Sequence, residues 1–282
     1  MQLGAVTNGT HSERLLEIAS RLETHDWLRF SLDAATETTY QMIHNPHGKG
    51  NTLESVLRPV REIKHRAPSI MIGYSYVVCW DGLVFDGIPV PDNIDEIPLA
   101  AELAAQYGFD YLSLKPCLVK EANNPVETLA LREQPSALLN IRRRVEKQIE
   151  DAYRRTIGEL RIHLSLNLIA LLQNRLTELR EQPHVCHIGF FRQVVSPLGV
   201  FHCPAFRGDP VANVADATGY TTTAKTERSR LATANRLLNY DAQHGCRNIA
   251  CIYNGVNHAI EKFISGADPV TLDVLPDAEF FL

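Results

Sequence analysis

Two pairs of cysteines are the side chains in this sequence with the most to offer chemically. Cys186 and Cys203 sit at either end of VCHIGFFRQVVSPLGVFHCPAF (185–206) as a Cys-x16-Cys pair, and Cys246 and Cys251 form a Cys-x4-Cys pair in GCRNIAC (245–251). Thiolates bind soft or borderline metals, and a set of four suits tetrahedral zinc or one iron–sulfur cluster. Spacing alone leaves burial in a core as an equal fate, because free cysteine is among the most buried residues. His184, His187 and His202 lie beside the cysteines and are zinc ligands by type, although surface or core histidine is the simpler reading of each. The remaining two cysteines, Cys79 and Cys117, fall at the ends of strand-like segments, where sites gather in parallel sheets and either could line a pocket; incidental burial is the simpler reading of both.

Composition narrows the partners. With 45% hydrophobic and 22% charged residues the chain is of ordinary globular type. A formal net charge of −5, with acids and bases interspersed, argues against nucleic acid or an anionic membrane surface. The densest basic run, IRRRVEKQIEDAYRR (141–155), alternates with acids at helical spacing and reads as a solvated helix face. No apolar run reaches the roughly 18 residues of a membrane span. The opening MQLGAVTNGTHSE lacks the basic and apolar regions of a secretory signal. The expected location is therefore the cytoplasm, where thiols stay reduced and structural disulfides are rare.

The elements that must position the thiols follow from periodicity. Residues 1–116 alternate strand-like runs (LGAV, WLRFSLD, SIMIGYSYVVC, FDYLSLKP) with amphipathic helical segments. Pro59 is expected to kink or bound the helix over 52–66. Asn93 and Glu96 resemble a capping box, and Gly108 is placed to end the helix that follows. Four strands with helical crossovers predict an α/β fold with a parallel sheet, whose functional loops lie at the strand carboxyl ends. Tyr74, Tyr76 and Lys115 are candidates to face its interior. Residues 117–183 read as a linker with a long helix over 136–157, a strand over 162–168 and a further helix. HNPHGKGN (44–51) lacks phosphate-loop spacing and reads as a loop. Residues 184–282 form a small cysteine-bearing region. In it Ser196-Pro197-Leu198-Gly199 has type I turn chemistry and folds 188–195 against 200–203, carrying Cys203 back toward Cys186.

TNGT, SLDAATETTY, VVCWDG and GFDYLSLKP in that order, followed by the Cys-x12-Gly-x3-Cys hairpin and the Cys-x4-Cys pair, resemble a radical S-adenosylmethionine enzyme with a C-terminal auxiliary-cluster extension of the SPASM or twitch type. The likeness runs over most of the chain. It implies that residues 1–116 correspond to strands three to six of a partial (β/α)6 barrel, and that residues 184–282 hold the auxiliary module. It also implies that Cys186, Cys203, Cys246 and Cys251 ligate one auxiliary 4Fe–4S cluster. Ser31 and Asp33 would then lie near the cofactor's ribose and amino-acid end, with Thr7 and Asn8 at the neighbouring strand mouth.

The sequence departs from that family in one defining respect. It holds no Cys-x3-Cys-x2-Cys, the loop that carries the radical-initiating cluster. The resemblance therefore implies an N-terminally truncated chain, inactive alone, that meets S-adenosylmethionine only if a missing segment or separate subunit supplies the rest. Gly199 is also offset by one residue from the usual hairpin. A peptide or small molecule is the expected substrate. The competing expectation is a non-catalytic, zinc-stabilised scaffold that binds another subunit.

Overall fold

The computed structural model describes residues 2–44, 51–85, 87–120, 127–129, 135–156, 158 and 160–266. Five strands pair in chain order in one parallel sheet: β1 (Gly4–Thr7), β2 (Trp27–Ser31), β3 (Met71–Val78), β4 (Tyr111–Pro116) and β5 (Arg161–Leu164). A single register row runs across it, from Thr7 to Phe30, Tyr74, Leu112 and Ile162. The helices between are α1 (Ser12–Ile18), α2 (Glu37–His44), α3 (Leu53–Arg66), α4 (Ile97–Tyr107) and α5 (Pro135–Arg155). Among them α1 packs on α3, α3 on α4 and α4 on α5, forming a continuous layer.

The fold is thus α/β with an open parallel sheet flanked by helices. Residues 1–116 supply four strands of the sheet, as expected, and the fifth is the strand within the stretch read as linker. Strands β1 and β5 are its two edges and do not pair with each other, so no barrel is closed.

Side chains alternate across a strand, and here the two faces differ in chemistry. Phe30, Ile72, Tyr74, Tyr76, Leu112 and Leu114 are buried in one core cluster with Val60 and Ile63 of α3, Ala104 of α4 and Ile149 of α5. The other parity carries Arg29, Ser31, Gly73, Ser75, Tyr111, Ser113 and Lys115. Tyr74 and Tyr76, expected to share an interior with Lys115, lie on the opposite, helix-packed face. Their hydroxyls are used at home: Tyr74 donates to Ala34 O, and Tyr76 to Asn93 O at 2.7 Å.

Gly73 is where the polar face is tightest. A Cβ there would lie 2.0 Å from the Tyr111 ring. Gly73→Ala is expected to push that buried ring aside and lower stability by about 1–3 kcal/mol, read as a shifted urea midpoint; an unchanged midpoint would contradict the packing.

Local expectations part from the structure at four places, each for a tertiary reason. Helix α3 runs through Pro59 without a break. A Thr52–Ser55 capping box secures its start, and burial of Val56, Leu57, Val60 and Ile63 offsets the lost backbone bond. Asn93 makes no cap hydrogen bond on the short helical turn after it. The stretch read as a strand over 162–168 divides at Ser165, whose Oγ accepts the Leu168 N–H at 3.2 Å and starts α6 (Leu166–Leu172). Within the segment read as a loop after 116, Leu118–Lys120 pairs antiparallel with Glu127–Leu129; residues 121–126 and 130–134 lie outside the described residues. So do residues 45–50, on which the loop reading of HNPHGKGN falls.

The cysteine-bearing region holds a three-stranded antiparallel sheet of β6 (Val194–Ser196), β7 (Gly199–Phe201) and β8 (Asn213–Ala215). Around it lie α7 (Thr223–Leu238), α8 (Ala242–Gly245) and α9 (Asn254–Ile264). The hairpin turns at Pro197–Leu198 as expected, with Ser196 Oγ accepting the Leu198 N–H at 3.2 Å. Its first strand is shorter than expected, because His187–Phe190 is a 3-10 turn. Gly189 lies against Leu237, and the Ile188 N–H is taken by Asn257 Oδ1 at 2.9 Å, so neither is free to join a ladder. Among the described residues no helix is long and apolar enough to cross a membrane.

Candidate functional site

The carboxyl ends of four strands meet the cysteine-bearing region across a cleft of about 940 Å³. Asp33 follows β2, Cys79 follows β3, Lys115 and Cys117 close β4, and Ser165 follows β5; Arg192, Tyr253 and Val256 face them from the other side. Ligand sites in open parallel sheets lie at these strand ends, and the volume is that of a small-molecule site. A smaller hollow of about 230 Å³, by Phe206 and Ile249, gathers none of the candidate ligands.

Asp33 is built into its place. Its φ of +53° is left-handed, a conformation tolerated by Asp at turns. Oδ1 accepts the Val77 N–H at 2.8 Å and Oδ2 accepts the Ser31 hydroxyl at 3.3 Å. Burial pushes the carboxyl above the usual range, opposed by those donors and by His44, 3.8 Å away. Ser31 is therefore occupied by Asp33 and does not line the cleft. At the end of β1, Thr7 Oγ accepts from Gly9 N at 3.0 Å and Asn8 Oδ1 from Thr10 N at 3.2 Å, so both serve the local turn. Of Thr7, Asn8, Ser31 and Asp33, the cleft receives Asp33 alone.

Lys115 is half-buried, and burial together with the Arg29 charge moves its amine down to about 8. Cys79 and Cys117 are neighbours across β3 and β4, joined below by Cys117 N–H to Val78 O at 2.9 Å. A hydrogen bond with Cys117, reinforced by burial, keeps the Cys79 thiol protonated. One residue ties these strand ends together and escapes sequence reasoning. The Asn93 side chain is 1% exposed, accepts from Cys79 N at 2.8 Å, and donates to Asp33 O at 2.9 Å and Val77 O at 2.8 Å. Glu96, its supposed capping partner, reaches instead to Ala35 N at 2.7 Å and Thr36 N at 3.1 Å, ahead of α2.

The four C-terminal thiols come into one neighbourhood. Ionising Cys246 is opposed by Cys203, Cys186 and Cys251, and ionising Cys251 by Cys203 and Cys186. Burial is the leading cause that raises all four, with Cys251 at about 11 and Cys246 at about 12. Cys203, Cys246 and Cys251 pack on a small core of Phe201, Phe206, Ala212 and Ile249. Main-chain N–H groups near the thiols, those of Gly189, of Ala205 and Phe206, and of Tyr253, favour the ionised forms of Cys186, Cys203 and Cys251 respectively. The Tyr240 hydroxyl lies 3.3 Å from Cys246 Sγ. Such donors stabilise charge on sulfur.

The histidines considered as substitutes sit otherwise. His184 pairs with Asp241 at 3.2 Å and His187 with Glu261 at 2.5 Å. His202 is buried against Tyr240; burial lowers its basicity, and Nδ1 has no hydrogen-bond partner among the described residues. Among those residues, no three His, Cys, Asp or Glu side chains close on a single metal ion.

Arg192 connects the two halves of the site. Its guanidinium stacks 4.0 Å over the Tyr253 ring, lines the cleft, and favours the ionised forms of Cys186, Cys203 and Cys251. Nothing in its sequence context marks it out, since the contact spans residues 192 to 253. Compared with models of known protein families and with curated proteins, the chain matches none.

Proposed function

We propose that Cys186, Cys203, Cys246 and Cys251 hold one 4Fe–4S cluster at the rim of a substrate cleft, in a protein of the radical S-adenosylmethionine type with an auxiliary-cluster region. The observation that carries the proposal is the gathering of four thiols from three separate stretches of chain, close enough to oppose one another's ionisation. A cluster is larger than an ion, and so suits thiols that act on one another without closing on one metal better than zinc does.

When bound, the cluster supplies one-electron transfer. The protein's own part is positional. Arg192 places a positive charge between the thiols and the cleft, and the apolar lining sheds its water when a ligand covers it. The five-stranded sheet is read as part of a (β/α)6 barrel, its strand ends presenting Asp33 and Lys115 to a bound molecule. S-adenosylmethionine enters this reading only together with a Cys-x3-Cys-x2-Cys segment, which the 282 residues do not contain. The cleft's substrate is a small molecule or a peptide.

Anaerobic reconstitution with iron and sulfide tests the proposal. Roughly four iron and four sulfide per chain, with a broad visible absorption, are expected of one cluster. Stoichiometric zinc with no acid-labile sulfide would replace this reading with a zinc-stabilised scaffold, and failure to hold any metal would leave the thiols as core.

A further inference from the structure

Resting on the reading of the cleft as a substrate site, we infer that it takes a small molecule with an apolar body and one anionic group, anchored by Lys115 and Arg192. The apolar part of the argument is exposure. Met42, Phe85, Ile88, Leu166 and Val256 all line the cleft yet remain exposed, Ile88 at 69%. Apolar side chains gathered around one hollow mark a binding surface, whereas scattered ones carry no such meaning. A ligand that covered them would gain in proportion to the apolar area removed from water.

The polar part is the charge balance of the walls. Among the described residues that line the cleft, Lys115 and Arg192 are the lysine and arginine, and Asp33 is the one acidic residue. The Asp33 carboxyl is bonded to Val77 N–H and to the Ser31 hydroxyl; it acts on Lys115 through space, as the smallest of the causes that set the amine's basicity, without forming an ion pair among the described residues. His44 is turned toward Leu32 O, at 2.6 Å. Lys115 remains mostly protonated at pH 7, because its amine titrates at about 8. Arg192 is held by stacking on Tyr253, and its buried Nε has no hydrogen-bond partner among the described residues. Two cations on a largely apolar wall therefore select a single carboxylate or similar anion attached to a hydrophobic body.

Isothermal titration of the full chain with decanoate, 1-decanol and decylamine separates the contributions. The three share an apolar body and differ in the head group. Decanoate should bind once per chain and about tenfold tighter than decanol, the size of a charge-assisted hydrogen bond, with decylamine weakest. Lys115→Met should weaken decanoate by about the same factor and leave decanol unchanged, so decanol binding also reports that the variant is folded. Arg192→Met should act in the same direction. Equal affinity for decanoate and decanol, undiminished decanoate binding by both variants, or no binding of any of the three would overturn the inference. Running the titrations before and after iron–sulfide reconstitution keeps the two readings apart. Selective decanoate binding by a chain that takes up no cluster removes the cluster alone, and a loaded chain indifferent to the head group removes the anion site alone.

Discussion

Cys203→Ser should abolish the visible chromophore after reconstitution and reduce bound iron about tenfold or more, at least the loss seen for supporting groups around a metal. Cys203 is the informative choice because it sits at the centre of the set. It opposes ionisation of Cys186, Cys246 and Cys251 alike. A serine oxygen is a hard donor and a poor substitute for thiolate toward iron in a cluster. Cys79→Ser is the matched control. Cys79 is a buried cysteine that lines the cleft, but its partner is Cys117 and it belongs to the sheet. Iron content should be unchanged by it. Equal iron in the two variants, or equal loss, would dissolve the distinction between the C-terminal thiols and the rest.

The second large effect concerns the sheet. Asn93→Leu should lower unfolding free energy by about 4 kcal/mol, since three buried backbone groups lose their partner at roughly 1–3 kcal/mol each. Those groups are the Cys79 N–H and the carbonyls of Asp33 and Val77, all at the mouth of the cleft. The loss would be a large share of the 5–15 kcal/mol typical of a domain. Asn93→Asp keeps the acceptor for Cys79 and removes both donations, so it should recover only part of the loss. Urea unfolding of the three proteins measures this, and a loss under about 1 kcal/mol for the leucine variant would show that the groups find other partners.

What could be read from the sequence was what local periodicity encodes. Met71–Val78 announces itself by β-branched and aromatic residues, and Gly108, with φ of +83°, ends α4 as a left-handed cap. The stretch over 162–168 shows the limit. Its alternating leucines fit a strand, yet Ser165 converts the second half into a helix through one hydrogen bond to Leu168 N–H. Asn93 failed for a related reason: its side chain suits a helix cap, and only the assembled sheet offers it three better partners. The fifth strand was visible as a strand, but its place beside β4 is a long-range fact, pairing Leu112 with Ile162. The cysteines were conspicuous as residue types, whereas Arg192 becomes part of the site only through a contact that spans residues 192 to 253.

The main-chain N–H groups that favour charge on Cys186, Cys203 and Cys251 lie two or three positions further along the chain. Exchanging the side chain of Ala205, Phe206 or Tyr253 leaves that donor in place, provided the residue is not proline and the loop keeps its path. Sequence drift around these thiols is thus filtered by loop length and torsion more than by residue identity. Insertion of a single residue between Cys203 and Phe206 should be more damaging than several substitutions there.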